Sequence, residues 1–262
     1  FSGGPDNVSG FDHFNVYRGA VLVGQPTTPT FTDAAIAVDG PTMYTVKAVD
    51  AAGNESAIGT SRSILYDTTP PTAPPNPVTS SPTNGQPALS WSPSDDGNGA
   101  GVARYEVLRD GVLVTSVNGL SFSDDAVLAD GTYVYSVVAI DGAGNRSAAS
   151  APRTVLLDHV APPPPTNLAG PSPSNDPTFT WTAASDAGTG GSGIAAYRVY
   201  RNGVQVGTAA TPTFEDAGVT LDDVYAYTVA SVDGAGNESV ASAPVSVLVD
   251  RTPPPQPLGL TG

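Results

Sequence analysis

The heptapeptide Asp50-Ala51-Ala52-Gly53-Asn54-Glu55-Ser56 returns in kind at Asp141 to Ser147 and at Asp233 to Ser239. Asp141 follows Asp50 by 91 residues and Asp233 follows Asp141 by 92. The chain is therefore a tandem array of one module of about 90 residues. Other positions keep step. Val16-Tyr17-Arg18 recurs at Val107-Leu108-Arg109 and Val199-Tyr200-Arg201, Tyr44 at Tyr135 and Tyr227, and Asp67 at Asp158 and Asp250. A scaffold written three times points to a spacer or a fibre rather than to an enzyme.

A module of this size can bury one small core, so 262 residues amount to nearly three domains. The 29 glycines and 26 prolines sit at fixed offsets between alternating apolar runs and read as turns, not disorder. Cysteine is absent, so no disulfide reinforces the modules and none argues for an oxidising compartment. Lys–Asn amide crosslinks need lysine, and Lys47 stands alone. The net charge of −15 excludes nucleic acid and anionic lipid as natural partners, since phosphates need basic patches, while it suits a dispersed surface or divalent cations. No apolar run approaches the ~20 residues that cross a bilayer, so membrane insertion is not expected. No signal peptide opens the chain, an absence without weight because Phe1 falls inside a module.

The second module shows the pattern most fully. After the prolines from Pro70 to Pro77 come a short run Ala88-Leu89-Ser90-Trp91, a polar loop, and the alternating Tyr105 to Arg109. Asp110-Gly111 turns into Val112-Leu113-Val114, Phe122 marks a short strand, Tyr133 to Ala139 a long one, and Arg153 to Leu157 the return. That is seven short strands, no helical period, and an antiparallel sandwich.

These residues resemble the bacterial fibronectin type III family, an immunoglobulin-like β-sandwich found in secreted enzymes and surface arrays. The likeness rests on Trp91 and Trp181, on Tyr105 to Gly111 and Tyr197 to Gly203, on the strands from Tyr133 and Tyr225, and on the Asp-x-Ala-Gly-Asn turn. It covers nearly the whole chain. It implies an all-β fold of tandem seven-stranded sandwiches set end to end, buried tryptophans, and tyrosine corners at Tyr133 and Tyr225, with Thr42 in that place in the first module. The expected divisions are 1–67, a module lacking its first strands; 72–158 and 162–250, complete modules; and 251–262, the opening segment of a further one. The first module could be covered by a neighbouring chain or by a strand added from another copy.

The family's loop arrangement implies one candidate site per junction. Asp67, Asp95, Asp96, Asp141 and Asn145 gather at the first, and Asp158, Asp186, Asp233 and Asn237 at the second. Calcium takes six to eight oxygens, and such a cluster offers several. The competing reading is ordinary turn chemistry with the carboxylates in water. Asn54, Asn145 and Asn237 also open Asn-x-Ser triplets, which the turn itself explains. Leu108, Val134, Val138 and Ile140 fall out of phase with the core and mark either a contact surface or strand residues under a loop. His13 and His159 occupy unrelated positions, and no nucleophile elbow or phosphate loop is present. Catalysis is not expected.

The sequence alone thus puts first a structural rod, about 80–100 Å long at strand spacing, in an extracellular surface or filament-forming protein. Its partners would be neighbouring modules and other copies of the chain. Spacer modules of a secreted polysaccharide-degrading enzyme come second, and an adhesive or carbohydrate-binding module third. Proline at Pro70-Pro71, Pro162 to Pro165 and Pro253 to Pro255 favours extended connections.

Overall fold

Runs of alternating Val, Tyr, Thr and Ile set the strands, and Gly, Asp and Asn set the turns between them. The computed structural model describes residues 9–127, 129–188 and 190–259. The first repeat contains β1 (Phe11–Arg18), β2 (Val21–Gly24), β3 (Gly40–Asp50) and β4 (Arg62–Tyr66). The middle repeat contains β5 (Val78–Thr79), β6 (Ala88–Ser90), β7 (Val102–Arg109), β8 (Val112–Val117), β9 (Ser121–Ser123), β10 (Gly131–Asp141) and β11 (Arg153–Leu157). The last contains β12 (Thr166–Ala169), β13 (Thr178–Thr182), β14 (Ile194–Arg201), β15 (Val204–Ala209), β16 (Thr213–Glu215), β17 (Asp223–Asp233) and β18 (Val245–Val249).

The four-stranded sheets have one order throughout, β2-β1-β3-β4, β11-β10-β7-β8 and β15-β14-β17-β18. Three-stranded sheets, β5-β6-β9 and β12-β13-β16, accompany the second and third. The fold is all-β, with seven strands in each of these two repeats. No helix among the described residues is long and apolar enough to cross a membrane. The chain forms two compact units that cut across the repeats. One comprises Phe1–Pro77, Ser90–Ser121 and Ser136–Pro152; the other comprises Val78–Leu89, Phe122–Tyr135 and Arg153–Gly262.

In the second unit, Phe179, Trp181, Tyr197, Val199, Tyr227, Val229 and Val247 form one buried cluster. Phe179 packs on Tyr227 at 4.2 Å between ring centres, and Trp181 meets Tyr197 edge-on at 5.2 Å. Trp91 meets Tyr105 the same way in the first unit, at 5.6 Å. Both tryptophans are core residues, 5% and 6% exposed. Tyr133 Oη donates to Ala129 O at 2.9 Å and Tyr225 Oη to Leu221 O at 3.2 Å, so each closes the corner before its own strand. The β14–β15 hairpin turns at Asn202 and Gly203, both at positive φ (49° and 80°), the backbone that two-residue hairpins select.

Within the first unit, the sheet of the first repeat leaves an open cavity of about 780 Å³. It is lined by Phe14, Val16, Phe31, Tyr44, Val46 and Ile64, among others. Phe31 stands where β9 and β16 carry Phe122 and Phe214, yet residues 30–32 form no strand. It lies over Gly24, where a Cβ would come within 2.0 Å of the ring. Residues 1–8, where the sequence places the remains of the second strand, lie outside the described residues.

Of the two readings of the apolar residues out of phase with the core, Val138 and Ile140 follow the one that puts strand residues under a loop: they are 5% and 1% exposed. The segment returning from the Asp141 turn forms a bridge from Arg146 to Ile140, and the Arg146 guanidinium pairs with Glu106 across that face. In the last repeat the same pair of positions is reversed in charge, Arg198 with Glu238. Val134, at 39%, remains exposed.

Candidate functional site

Each residue of the repeated turn has a local task. Asp141 Oδ1 accepts the main-chain N–H groups of Ala143, Gly144 and Asn145 at 2.7–2.9 Å, and its Oδ2 accepts the Asn145 amide at 2.8 Å. Gly144 sits at φ 98°, and Gly53 and Gly236 at 85° and 94°, a region costly for any side chain. Ser147 Oγ accepts from Ala139 N and donates to Ala148 O, tying the turn's exit to β10. Asp50–Asn54 and Asp233–Asn237 repeat the carboxylate–amide bond at 2.8 Å. The turn chemistry accounts for the motif.

What the turn does beyond itself is to hold the preceding repeat. In the first unit, Asn145 Nδ2 donates to Asp67 O at 3.2 Å, and Ala100 N donates to Asp67 Oδ2 at 2.7 Å. In the second unit, Asn237 Nδ2 donates to Asp158 O at 2.9 Å, and Ser192 N to Asp158 Oδ2 at 2.8 Å. The residue ending one repeat is thus gripped at its carbonyl and its carboxylate by the next. Asn84, on the turn between β5 and β6, adds a bond to Asn237 Oδ1 at 3.1 Å. Both hydrogens of the Asn145 and Asn237 amides are spent on these bonds, so a glycan there would have to open the grip. Asn237→Ala is expected to cost about 1–3 kcal/mol, the price of the polar groups left unpaired. Amide hydrogen exchange should then quicken at Ser192 and around Asp158; unchanged exchange would refute the grip.

The sequence-derived candidates gather as two carboxylate groups, Asp67, Asp96 and Asp141 in the first unit and Asp158, Asp186 and Asp233 in the second. The three facing oxygens in each lie within 4.8 Å of one another. Asp95 stands outside: its carboxylate folds back onto Gly97 N at 2.9 Å, in an exposed turn. Its neighbour Asp96 turns inward instead and bonds Gly101 N at 2.6 Å. Asp186 does the same with Gly193 N at 2.9 Å. Asn145 and Asn237 join through their bonds to Asp141 and Asp233.

Electrostatics divides the first group. Burial pushes the Asp96 carboxyl up; the Gly101 N–H opposes this, and the charges of Asp67, Asp141 and Asp95 reinforce it. Its Oδ1 is buried without a hydrogen-bond partner. Burial also pushes Asp141 up, but the bonds from Asn145, Gly144 and Ala143 outweigh it and leave the carboxyl below its ordinary value. Asp50 is drawn down to about 2, first by the Asn54 side chain, then by Asn54 N and Ser9. A depressed carboxyl stabilises the fold above its unfolded value, and that contribution is lost as pH falls through the folded one. Asp96, raised, acts in the opposite sense and loses its contribution as pH rises. NMR titration of Asp50 should therefore give a midpoint near pH 2, moving toward the ordinary value in Asn54→Ala.

A recurrent network was missed on the sequence. Asp216 Oδ2 accepts from Arg201 Nη1 at 2.6 Å and Tyr227 Oη at 2.9 Å. Asp33 Oδ2 takes the same bonds from Arg18 and Tyr44 at 3.1 and 2.8 Å, and Asp124 from Tyr135 at 2.9 Å. The signal was an Asp two residues beyond the aromatic of the short strand: Phe31-x-Asp33, Phe122-x-Asp124 and Phe214-x-Asp216.

No protein-family model matches the chain. It is 40% identical over 259 residues, 94% of its length, to exoglucanase B of Cellulomonas fimi, of which it covers 23%. It is 37% identical over 189 residues, 69% of its length, to chitinase A1 of Niallia circulans, of which it covers 26%. The chain spans about a quarter of the length of these curated relatives. Among solved structures, the FN1–FN3 domains of chicken CNTN1 align at a TM-score of 0.48 with 13% identity, covering 91% of each chain.

Proposed function

The chain is a tandem array of fibronectin type III-like β-sandwiches, and on that footing we propose that it is a non-catalytic spacer within a secreted polysaccharide-degrading enzyme. The observation that carries the reading is that one stretch of sequence matches both a glucanase and a chitinase while covering about a quarter of either. A segment shared by enzymes named for different polysaccharides is a poor candidate for what selects the substrate. This spacer reading displaces the surface or filament array that the sequence alone put first. In it, the grip on Asp67 and Asp158 limits the freedom of successive sandwiches, and the proline connectors add to that. The spacer would thereby set the distance between the parts it joins.

The test has two parts. The isolated chain should neither hydrolyse nor co-sediment with cellulose or chitin, and co-sedimentation would make it a binding module instead. In the parent enzyme, deleting one repeat should leave turnover of a soluble oligosaccharide unchanged and reduce turnover of insoluble substrate. Equal loss on both would refute a spacer.

The orphaned Asp96 Oδ1 favours a second element of the proposal, calcium at the carboxylate groups. Three carboxylates supply part of the six to eight oxygens required, and a cation would relieve their mutual repulsion. The expected result is a higher melting midpoint in calcium than in chelator. An unchanged midpoint removes the cation from the site.

A further inference from the structure

Asparagine followed by glycine is a dipeptide open to self-modification, because no side chain on the second residue shields its nitrogen from the asparagine amide carbon. The chain has four such steps, Asn84-Gly85, Asn98-Gly99, Asn118-Gly119 and Asn202-Gly203. In two of them the fold demands the glycine. Gly203 turns the β14–β15 hairpin at φ 80°. Asn202 is fixed beside it, its Oδ1 accepting from Ala226 N at 2.9 Å and its own N–H donating to Ala226 O at 2.8 Å. A Cβ on Gly99 would come within 2.6 Å of Asp96 Oδ2 and 2.8 Å of Asp67 Oδ2. Gly99 N is also tied to Asp96 O at 2.9 Å.

Gly85 has no such reason to be glycine. Its φ lies outside the positive range, and a Cβ there would meet Thr83 Oγ1 at 3.7 Å, an ordinary contact. Asn84 and Gly85 are exposed on the turn between β5 and β6, where Gly85 N donates to the Thr83 hydroxyl at 3.1 Å. Asn118-Gly119 is as open, with nothing within 4 Å of a Cβ on Gly119. Asn84 differs from it in where its amide points. Its Nδ2 donates to Asn237 Oδ1 at 3.1 Å. Asn237 cannot turn its own amide over to suit a changed partner, because its Nδ2 is committed to Asp158 O at 2.9 Å and Asp233 Oδ2 at 2.8 Å.

We propose that Asn84 is a deamidation site, and that its conversion loosens the hold of the last repeat on the middle one as the protein ages. Gly85 N attacks Asn84 Cγ, the bond from Cγ to Nδ2 breaks, and the proton displaced from Gly85 N leaves with the amide as ammonia. Water then opens the resulting succinimide at either carbonyl, giving aspartate or isoaspartate at position 84. Either way the donor is gone. An ionised carboxyl only accepts, and Asn237 Oδ1 is an acceptor as well. The new charge also enters a junction that already gathers Asp158, Asp186 and Asp233, where like charges repel. Isoaspartate further lengthens the turn by one backbone carbon. This inference rests on the grip at Asp158 and does not depend on the spacer reading.

The test incubates the 262-residue chain at mildly alkaline pH until Asn118 has converted, with peptide mapping by mass spectrometry. Asn84 should convert alongside Asn118 and ahead of Asn98 and Asn202. Amide exchange at Ser192, whose N–H is held by Asp158 Oδ2, should rise about 2- to 10-fold in the converted protein, the equilibrium effect of one hydrogen bond. Asn84→Asp should show the same rise without incubation. Gly85→Ala should slow conversion at Asn84 and leave Ser192 protected. Asn84 still intact once Asn118 has converted overturns the site. Unchanged exchange at Ser192 in Asn84→Asp overturns its effect on the junction.

Discussion

Trp181→Ala is expected to lower the unfolding free energy of the last sandwich by about 3–5 kcal/mol, in the range of large aromatic truncations in a close-packed core. The ring is 6% exposed and fills the space between the three-stranded sheet and Tyr197. Its removal leaves a void that rigid strands on both sides cannot collapse into. A domain of this size has only about 5–15 kcal/mol to lose, so the variant should be close to unfolded at physiological temperature. Urea unfolding followed by circular dichroism would measure this. A loss below about 1 kcal/mol would mean the ring is not part of the core and would reopen the question of a stacking platform. Trp181→Phe should be far milder, because the indole Nε1 is buried with no partner and phenylalanine carries no polar atom to leave unpaired.

Asp216→Ala should cost a comparable amount for a different reason, about 3–5 kcal/mol for breaking a buried charge pair by removing one partner. The carboxylate is 3% exposed and accepts from Arg201, Tyr227 and Gly218 N. Taking it away strands a guanidinium and a phenol in a site that water reaches poorly. Burial, then the bond to Asp216, pushes the Tyr227 hydroxyl well above the ordinary phenol range. A spectrophotometric titration should accordingly find this tyrosine still protonated where exposed tyrosines have ionised. In Asp216→Asn, which also removes the charge but keeps an acceptor oxygen, the loss should stay in that range, lowered only by the hydrogen bonds retained. Equal losses in the two variants would show that charge, not hydrogen bonding, dominates the site.

The repeats made the fold and most of the junctions legible, since a residue that recurs in step twice is pinned to one place in the sandwich. The resemblance to fibronectin type III modules, and not the period alone, implied the places of Trp91, Trp181, Tyr133 and Tyr225 and the gathering of Asp67, Asp158, Asn145 and Asn237. Legibility failed where the answer depended on a choice within a turn. Asp95 and Asp96 are neighbours in a glycine-rich loop with no period to say which carboxylate faces inward, and the hydrogen bond to Gly101 decides it. Val138 and Ile140 left two readings open on the sequence, a contact surface or strand residues under a loop, and the structure selects the second. Strand alternation assigns them to the outer face, but the segment that covers it follows a turn whose direction no periodicity encodes. The Arg201–Asp216–Tyr227 network joins three segments distant in sequence, so the recurrence of Arg201 and Tyr227 was visible while the carboxylate that joins them was not.

The two tryptophans have a practical consequence. Trp91 and Trp181 lie in different sandwiches, each with a tyrosine ring within 5.6 Å, and the described part of the first repeat contains no indole at all. Emission from these fluorophores should therefore follow the melting of the middle and last sandwiches while remaining blind to the first. Comparing that signal with far-ultraviolet ellipticity, which sees every strand, would isolate the unfolding of the first repeat by difference and need no engineered probe.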